Sequence, residues 1–382
     1  MTVSLAPLVE EARARIDRDR ELPETLGAAL ADAGLFATFA PREYGGLELD
    51  PVAGLRAVAA VAELDGSVAW NAMVAGAHSF FAGRLPQTAA REIYTAPRAA
   101  VAGQLQPGGR AEVTDGGYRA SGRWSFASAS KHATWFIAQC IVLENGELRA
   151  GRDRRPGLQE VPDLRLVFVP ADRVRIHDTW HVSGLRGTGS NDYSIDEVDV
   201  PAEYTVDLLA DEPTRPEPLY RFPAVLMLMG SVAAVPVGIA RGAVEAFKDF
   251  ARTKTASPKP VPMSESPVVQ MELARAEIAA RSAELLLFTA MEDVWETVRA
   301  GHAVSMAQRA QVRLGCVNAG TAAARAVDTV YNLAGSSAIF EKNPFERRFR
   351  DVHAATAHAA VHQRALEPCG QTLLGLEPQG VF

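Results

Sequence analysis

The sequence predicts a mainly α-helical protein with a β domain in the middle of the chain. Two changes in hydrophobic period lead to this prediction. Apolar residues keep helical spacing up to about residue 100, alternate with polar residues over 101–205, and return to helical spacing towards the C-terminus. We therefore predict an N-terminal helical domain at 1–100, a β domain at 101–205 and a C-terminal helical bundle at 206–382.

The bulk composition is ordinary for a soluble globular protein. Hydrophobic residues make up 48% and charged residues 22% of the 382 positions. A net charge of -7 without a basic tract argues against nucleic acid or an anionic membrane as partner. Three scattered cysteines suit a reducing cytoplasm, and charges interrupt the N-terminus too early for a secretory signal. We expect a cytoplasmic protein.

Helix boundary signals are clear in the first hundred residues. Pro23 is suited to open a helix that Gly34 ends, and Pro51 is suited to open another that ends near Asp65. A further helical run carries a histidine, His78, for which core packing is the favoured interpretation.

The middle of the chain reads as short strands separated by Asp-Gly and Asn-Gly turn signals. A phase change near Asp196 predicts a β-bulge, and residues 151–157 predict a charged, solvated loop. The predicted strands lie at 110–114, 117–126, 134–143, 164–169, 174–180 and 192–200.

Long amphipathic helices are predicted from residue 220 onward, which indicates a helical bundle. The uncharged stretch 222–240 approaches the length of a membrane span. Because Pro223, Gly230 and Pro236 interrupt it and no basic cluster flanks it, we predict a buried bundle helix and no membrane partner.

Residues 120–136 form the best candidate ligand surface. They interleave four aromatic residues with four serines and end near one histidine, His132. Rings beside hydroxyls suit a flat heteroaromatic ligand, although an ordinary half-buried strand and turn would have the same composition.

Four segments together resemble the acyl-CoA dehydrogenase fold, and specifically its two-component flavin-dependent monooxygenases. They lie at 22–46, 120–136, 180–201 and 335–358, in the family's order. The resemblance implies an N-terminal helical domain, a middle β-barrel or sandwich, and a C-terminal four-helix bundle that assembles a homotetramer or homodimer. The glycine-rich loop 184–192 fits no phosphate-loop spacing and is read as a family landmark near the flavin or a neighbouring subunit.

The last segment bears on the reaction. Family members that dehydrogenate acyl thioesters carry a carboxylate base soon after an Arg-Asp pair, whereas here Arg350 and Asp351 are followed by His358 and Ala359 at that place. A missing carboxylate disfavours dehydrogenation, and an imidazole suits deprotonation of a hydroxyl or amine. His358 and His362 lie four residues apart, but the acid of a zinc-protease motif is absent, so no metal site is predicted.

The resemblance implies an oxygenase component that receives reduced flavin from a separate NAD(P)H flavin reductase. O₂ would add at the flavin C4a, and the hydroperoxide would hydroxylate a phenol, an indole or a polyketide-like aromatic. FAD is favoured over FMN because a second subunit of the bundle could hold the adenosine half. N-oxygenation of an amine, acyl-CoA dehydrogenation and a non-catalytic scaffold remain as alternatives.

Site residues are carried over from the resemblance. His358 is the expected base, with His132 as second candidate, and the Ser128 hydroxyl or a nearby backbone N–H is expected near the flavin N5. Arg252 would reach a neighbouring subunit's flavin. Ala129 stands where the family usually has glycine, which bears on the turn that follows Ser128. The expected cofactor contacts are Trp70, Gln104, Trp124, Phe126, Ala127, Ser128, Arg252, Ser336 and Ser337.

Overall fold

The computed structural model describes residues 2–151, 162–208, 211–256 and 261–378. The predicted charged loop at 151–157 therefore lies, from residue 152 on, outside the described residues. Pro258 and Pro260, which precede the bundle's second long helix, also lie outside them.

The N-terminal region is helical, and its boundaries follow local signals. Pro23 precedes the second helix, and Gly34, at φ +76°, follows it. The Asp50 carboxylate accepts a hydrogen bond from the backbone N–H of Ala53 at 2.8 Å, which caps the third helix. The helices are α1 (Thr2–Asp19), α2 (Glu24–Asp32), α3 (Pro51–Leu64), α4 (Gly66–His78) and α5 (Gln87–Tyr94).

The middle region forms one mixed eight-stranded sheet in the order β6-β7-β2-β1-β3-β5-β8, with β4 on β3. β1 and β3 run parallel, and the other pairs are antiparallel. The predicted bulge is confirmed, because the β2–β7 register shifts beside Glu197, which has φ +48°. The strands are β1 (Val101–Thr114), β2 (Gly117–Ala127), β3 (Trp135–Glu144), β4 (Glu147–Leu148), β5 (Leu164–Pro170), β6 (Arg175–His177), β7 (Asn191–Pro201) and β8 (Thr205–Val206).

The C-terminal region is a bundle of long helices. α7 is long and apolar enough to cross a membrane, but 78% of its most apolar window is buried inside the protein, as predicted for a bundle helix. The elements are α6 (Pro218–Arg221), α7 (Ala224–Thr253), β9 (Thr255–Ala256), β10 (Val261–Pro262), α8 (Pro267–Arg299), α9 (Met306–Ala334), α10 (Pro344–Thr356) and α11 (Leu366–Leu373).

The two helical regions share one hydrophobic core. It runs from Leu5 on α1 through α3 and α4 to Val361 beyond α10, so the N-terminal helices and the bundle pack as one body. The sheet has a separate core that includes Trp124 and Tyr193. The loop between β6 and β7 lies where the sheet meets the helices, because its residues bond to α4 and α10.

Candidate active site

Three predicted site residues from three different elements meet in the fold. Trp70 lies on α4, Ser128 directly follows β2, and His358 follows α10. The Trp70 indole Nε1–H donates to the Ser128 Oγ at 3.1 Å. The Trp70 ring meets the His358 ring edge to face, with centroids 5.8 Å apart. The structure therefore brings together residues that are 288 positions apart in the chain (358 − 70).

Ser128 is the first hydroxyl in a buried chain of hydrogen bonds. Its Oγ lies 2.6 Å from the Ser190 Oγ, which lies 2.6 Å from the Thr188 Oγ1. The Thr188 hydroxyl donates to the Leu185 carbonyl at 2.9 Å. The direction of the chain is fixed at its Leu185 end, because a carbonyl only accepts and Thr188 has a single hydroxyl proton to donate. Ser190 must therefore donate to Thr188, Ser128 must donate to Ser190, and Ser128 accepts from Trp70.

The glycine-rich loop that carries Thr188 and Ser190 is held by the helical body. Leu185 N–H donates to the Asp351 carboxylate on α10 at 2.6 Å. Gly187 N–H donates to the Ser67 hydroxyl at 3.2 Å, and the Gly187 carbonyl accepts from the Asn71 amide at 3.2 Å. The loop thus positions the hydroxyl chain. The sequence predicted only that the loop lies near the flavin or a neighbouring subunit, and did not predict this role.

The Asp351 carboxylate belongs to a buried ionic cluster. Arg347 forms a 2.8 Å ion pair with Asp65, and its Nε lies 3.9 Å from Asp351. Burial, followed by the nearby charge of Asp65, raises the pKa of Asp351 to about 7. A cleft of about 440 Å³ opens beside the cluster. Asp351 was noted in the sequence only as a motif landmark, and its hydrogen bond to the loop could not be read from local pattern.

The His358 imidazole is arranged as a hydrogen-bond donor. Its Nδ1 accepts from the backbone N–H of Ala360 at 3.1 Å, so the neutral ring carries its proton on Nε2. Surrounding protein atoms lower the pKa of His358, although the residue remains solvent-accessible, so the neutral form is favoured. This differs from the base expected from the sequence, since a base needs a free lone pair on the nitrogen that faces its substrate.

His132 lies on the other side of the Ser128 turn, against α2. Its ring contacts the backbone at Gly27 so closely that a methyl group there would overlap it, and its centroid lies 6.1 Å from that of Phe36. Burial lowers the pKa of His132. The buried Nε2 has no hydrogen-bond partner among the described residues. Among the described residues, His132 makes no hydrogen bond with Trp70, Ser128 or His358.

Trp124 and Phe126 occupy opposite environments. Trp124 is 2% exposed, donates to the Gln139 carbonyl at 2.8 Å and stacks on Tyr193 with centroids 5.3 Å apart. It is a core residue, which corrects the expectation that it faces a ligand. Phe126 is 59% exposed, has φ +66° and lies edge to face with Trp180. A bulky residue in this conformation is uncommon, which makes Phe126 a functional candidate.

The remaining predicted contacts are dispersed. Gln104 is half-buried, and its amide oxygen accepts from the Leu105 N–H at 2.7 Å. Ala127 is buried at the end of β2. Arg252 is exposed near the end of α7 and pairs with Asp249 at 2.8 Å. Two serines, Ser336 and Ser337, lie in the turn after α9. Arg252 and Ser336 are exposed and Ser337 is half-buried, and the role of all three stays a prediction.

The three C-terminal histidines have separate local partners. His353 Nε2 lies 2.9 Å from an Asp328 carboxylate oxygen, and His362 Nδ1 accepts from the Arg364 N–H at 3.2 Å. α10 ends at Thr356, so His358 and His362 do not share a helix as their spacing suggested.

The chain matches two family models. Residues 4–89 match the acyl-CoA dehydrogenase N-terminal domain, and residues 231–363 match the acyl-CoA dehydrogenase C-terminal domain.

Proteins of known activity show similarity along almost the full chain. An indole-3-acetate monooxygenase of Acinetobacter baumannii is 29% identical, covering 98% of this chain and 95% of its own. A pigment production hydroxylase of a Rhodococcus species is 30% identical with the same coverage. The crystal structure of the HsaA monooxygenase of Mycobacterium tuberculosis, a flavin-dependent oxygenase subunit, superposes with a TM-score of 0.89 at 27% identity, covering 100% of this chain and 98% of that one.

Proposed function

The chain belongs to the flavin-dependent monooxygenases of the acyl-CoA dehydrogenase superfamily, and from this premise we propose that it is the oxygenase component of a two-component system that hydroxylates an aromatic small molecule. The observation that carries the proposal is the surroundings of His358. A neutral N–H donor and Ala359 stand where a thioester dehydrogenase needs a carboxylate base. The described residues at this position therefore include no carboxylate base for dehydrogenation, and the His358 N–H is a donor suited to hydroxylation.

The residues fit a flavin ring. The exposed Phe126 side chain, with Trp180 at its edge, offers an apolar surface for a flat ligand. Beside it, the buried Ser128 hydroxyl offers a fixed polar contact. An apolar surface with few fixed polar groups is what a heteroaromatic cofactor requires. We propose that Phe126 and Ser128, together with Ala127 and Gln104, hold the flavin ring.

Reduced flavin, when bound, supplies the electrons that activate O₂, and the protein orients the reactants. The Nε2–H of His358 would donate a hydrogen bond to a substrate oxygen or to the oxygen that is transferred. It is the only N–H of the neutral ring. Trp70 fixes one side of that imidazole by its edge-to-face contact. The aromatic substrate class is proposed from the similarity to indole-3-acetate monooxygenase.

We also propose that the protein forms a homotetramer or homodimer. A row of large apolar residues is exposed along α8, and three of them, Met271, Ile278 and Leu285, recur every seven positions and share one helix face. Exposed apolar rows of this length mark interaction surfaces. The contacts expected of Arg252 and Ser336 with another chain's cofactor, and with them the preference for FAD over FMN, depend on such an assembly.

The proposed partners are O₂, a small-molecule substrate and a separate NAD(P)H flavin reductase, in the cytoplasm. A net charge of -7 and the burial of α7 support a role without nucleic acid or membrane.

The test mixes the purified protein anaerobically with one equivalent of reduced FAD, then with ¹⁸O₂ and a phenol or an indole. We expect an aromatic product that carries one ¹⁸O atom, and much less of it from His358→Ala. Label on the nitrogen of an amine substrate would instead indicate N-oxygenation. Loss of the visible absorbance of bound oxidised flavin with an acyl-CoA would contradict the oxygenase in favour of a dehydrogenase. Absence of flavin binding would indicate a scaffold.

A further inference from the structure

Because of the hydroxyl chain, Ser128 can only accept a further hydrogen bond and cannot donate one. Its proton is used inward, towards Ser190, and one lone pair is used by the Trp70 indole. Among the described residues no third partner bonds to its Oγ. A serine hydroxyl has one proton and two acceptor positions, so one lone pair remains. Towards a ligand, Ser128 is therefore an acceptor and not a donor.

The oxidised and reduced forms of a flavin differ in the hydrogen bond that their N5 can make. The oxidised ring has only a lone pair at N5, whereas the reduced ring, after taking up two electrons, carries a hydrogen there. An acceptor placed at N5 gains a hydrogen bond from the reduced ring and faces a second lone pair on the oxidised ring. A serine that is free to rotate would serve both forms, because its proton can turn towards either partner.

Resting on the proposed function, we infer that Thr188 and Ser190 are positioning residues that hold Ser128 as an acceptor and so make the site prefer reduced over oxidised flavin. Their effect begins at the Leu185 carbonyl, which takes the Thr188 proton and thereby fixes the direction of each hydroxyl in turn. Such a preference suits an oxygenase that receives reduced flavin from another protein and must release it oxidised.

The size of the preference follows from one buried hydrogen bond. A net hydrogen bond in a water-excluded site changes an equilibrium about five- to tenfold. Ser128 is 3% exposed and both of its partners are buried, so water does not compensate for a wrong contact. By linkage, a tenfold change in the ratio of the two dissociation constants shifts the two-electron midpoint potential of the bound flavin by about 30 mV.

The experiment measures the Kd of reduced FAD and of oxidised FAD by anaerobic and aerobic equilibrium titration, in wild type and two variants. Ser190→Ala removes the acceptor for the Ser128 proton, and Thr188→Val removes the group that fixes the direction of the chain. Thr205→Val is the matched control, because the buried Thr205 hydroxyl also donates to the carbonyl three residues before it, at 2.9 Å, but lies outside the chain.

We expect the ratio of the oxidised to the reduced Kd to fall about five- to tenfold in Ser190→Ala and in Thr188→Val, mainly through tighter binding of oxidised FAD. The midpoint potential of bound FAD should fall by about 20–30 mV. The control should keep the wild-type ratio. An unchanged ratio in Ser190→Ala, or equal weakening of both redox forms in both variants, would overturn the inference. If wild type binds neither form, the proposed function fails instead.

Discussion

The two walls of the candidate site are built on different principles. The β wall consists of Ser128, Ser190 and Thr188, which are buried, bonded to one another in one direction, and carry no group that titrates near neutral pH. The helical wall consists of Trp70 and His358, and the His358 imidazole has a lowered pKa. His358 is solvent-accessible.

The difference teaches which wall suits which ligand. A wall whose donors and acceptors are fixed recognises a group that always presents the same pattern, which suits a cofactor. A wall with a neutral, solvent-accessible imidazole suits a substrate that changes its protonation during the reaction. The comparison predicts that changes to the β wall alter flavin binding, and that changes to the helical wall alter turnover.

The largest effect is expected where the β wall is anchored, at Asp351. Asp351→Ala leaves the buried Leu185 N–H without its acceptor and removes a carboxylate near Arg347, which should lower the free energy of unfolding by about 3 kcal/mol. Asp351→Asn keeps an oxygen for Leu185 and should cost below about 1 kcal/mol, because burial, which raises the pKa of Asp351 to about 7, already disfavours its charged form. Urea unfolding measures both.

Asp32 serves as the control for that pair. It forms an exposed ion pair with Arg98, so Asp32→Ala should cost no more than about 1 kcal/mol. Equal losses in Asp351→Ala and Asp351→Asn would mean that charge, and not the hydrogen bond to the loop, secures the β wall.

On the helical wall, the donor role of His358 is separable from a base role. The Gln side chain places an amide N–H near the position of the imidazole Nε2, whereas Asn is too short. We expect His358→Asn to lose about 100-fold in hydroxylation rate and His358→Gln to retain about a tenth of the activity, with flavin affinity unchanged in both. His353→Gln is the control, because His353 pairs with Asp328 on the surface. An equal loss of hydroxylation rate in His358→Gln and His358→Asn would instead indicate that His358 acts as a base.

The pH profile should also distinguish the walls. Protonation of His358 puts a hydrogen on Nδ1, which can then no longer accept from Ala360, so the ring must move. Because the pKa of His358 is lowered, this protonation occurs below the usual value near pH 6.5. The hydroxylation rate should therefore be level above pH 7 and fall towards pH 5. Below the pKa of His358 in the folded protein, the rate should fall about tenfold for each pH unit. His358→Gln should lack the fall. A fall that persists in this variant would assign the titration to another group.

Local signals were sufficient for much of the fold. The helix start at Pro51, the helix end at Gly34 and the bulge near Glu197 each depend on a few neighbouring residues, and each is found where the sequence predicted it. The buried α7 followed from its interrupting prolines. Such features can be read from one sequence because their physical causes lie within a few positions.

Strand alternation failed at Phe126 for a definable reason. Residues two apart in a strand share a face, so Trp124 and Phe126 were expected to line one surface. The positive φ of Phe126 and the register shift between Trp124 and Ala127 turn the two rings apart. No local signal announces that φ, because it depends on the turn that follows.

The hydroxyl chain was beyond sequence reasoning because its contacts are non-local. Ser128 and Ser190 are 62 residues apart, and Leu185 and Asp351 are 166 apart. The glycine-rich loop was noticed, but which of its hydroxyls face inward depends on the packing of α4 and α10 around it. Periodicity predicts faces of elements and does not predict which two faces meet.

The smallest predicted effect concerns the turn that joins the β wall to β2. Ala129 adopts φ +63°, where an alanine side chain costs about 1–2 kcal/mol, partly offset by the lower chain entropy of alanine when unfolded. Ala129→Gly should therefore raise the free energy of unfolding by about 0.5 kcal/mol, measured in urea. Ala29→Gly, within α2, should lower it by about 1 kcal/mol.

The ratio of oxidised to reduced FAD affinity should stay constant in Ala129→Gly. Its backbone N–H donates to the Thr188 carbonyl at 3.1 Å, and glycine keeps this bond and leaves each hydroxyl of the chain in place. A destabilised variant would show that the alanine methyl group is needed for packing. A stable variant with an altered ratio would show that the turn, and not the direction of the hydroxyl chain, sets the redox preference of the β wall.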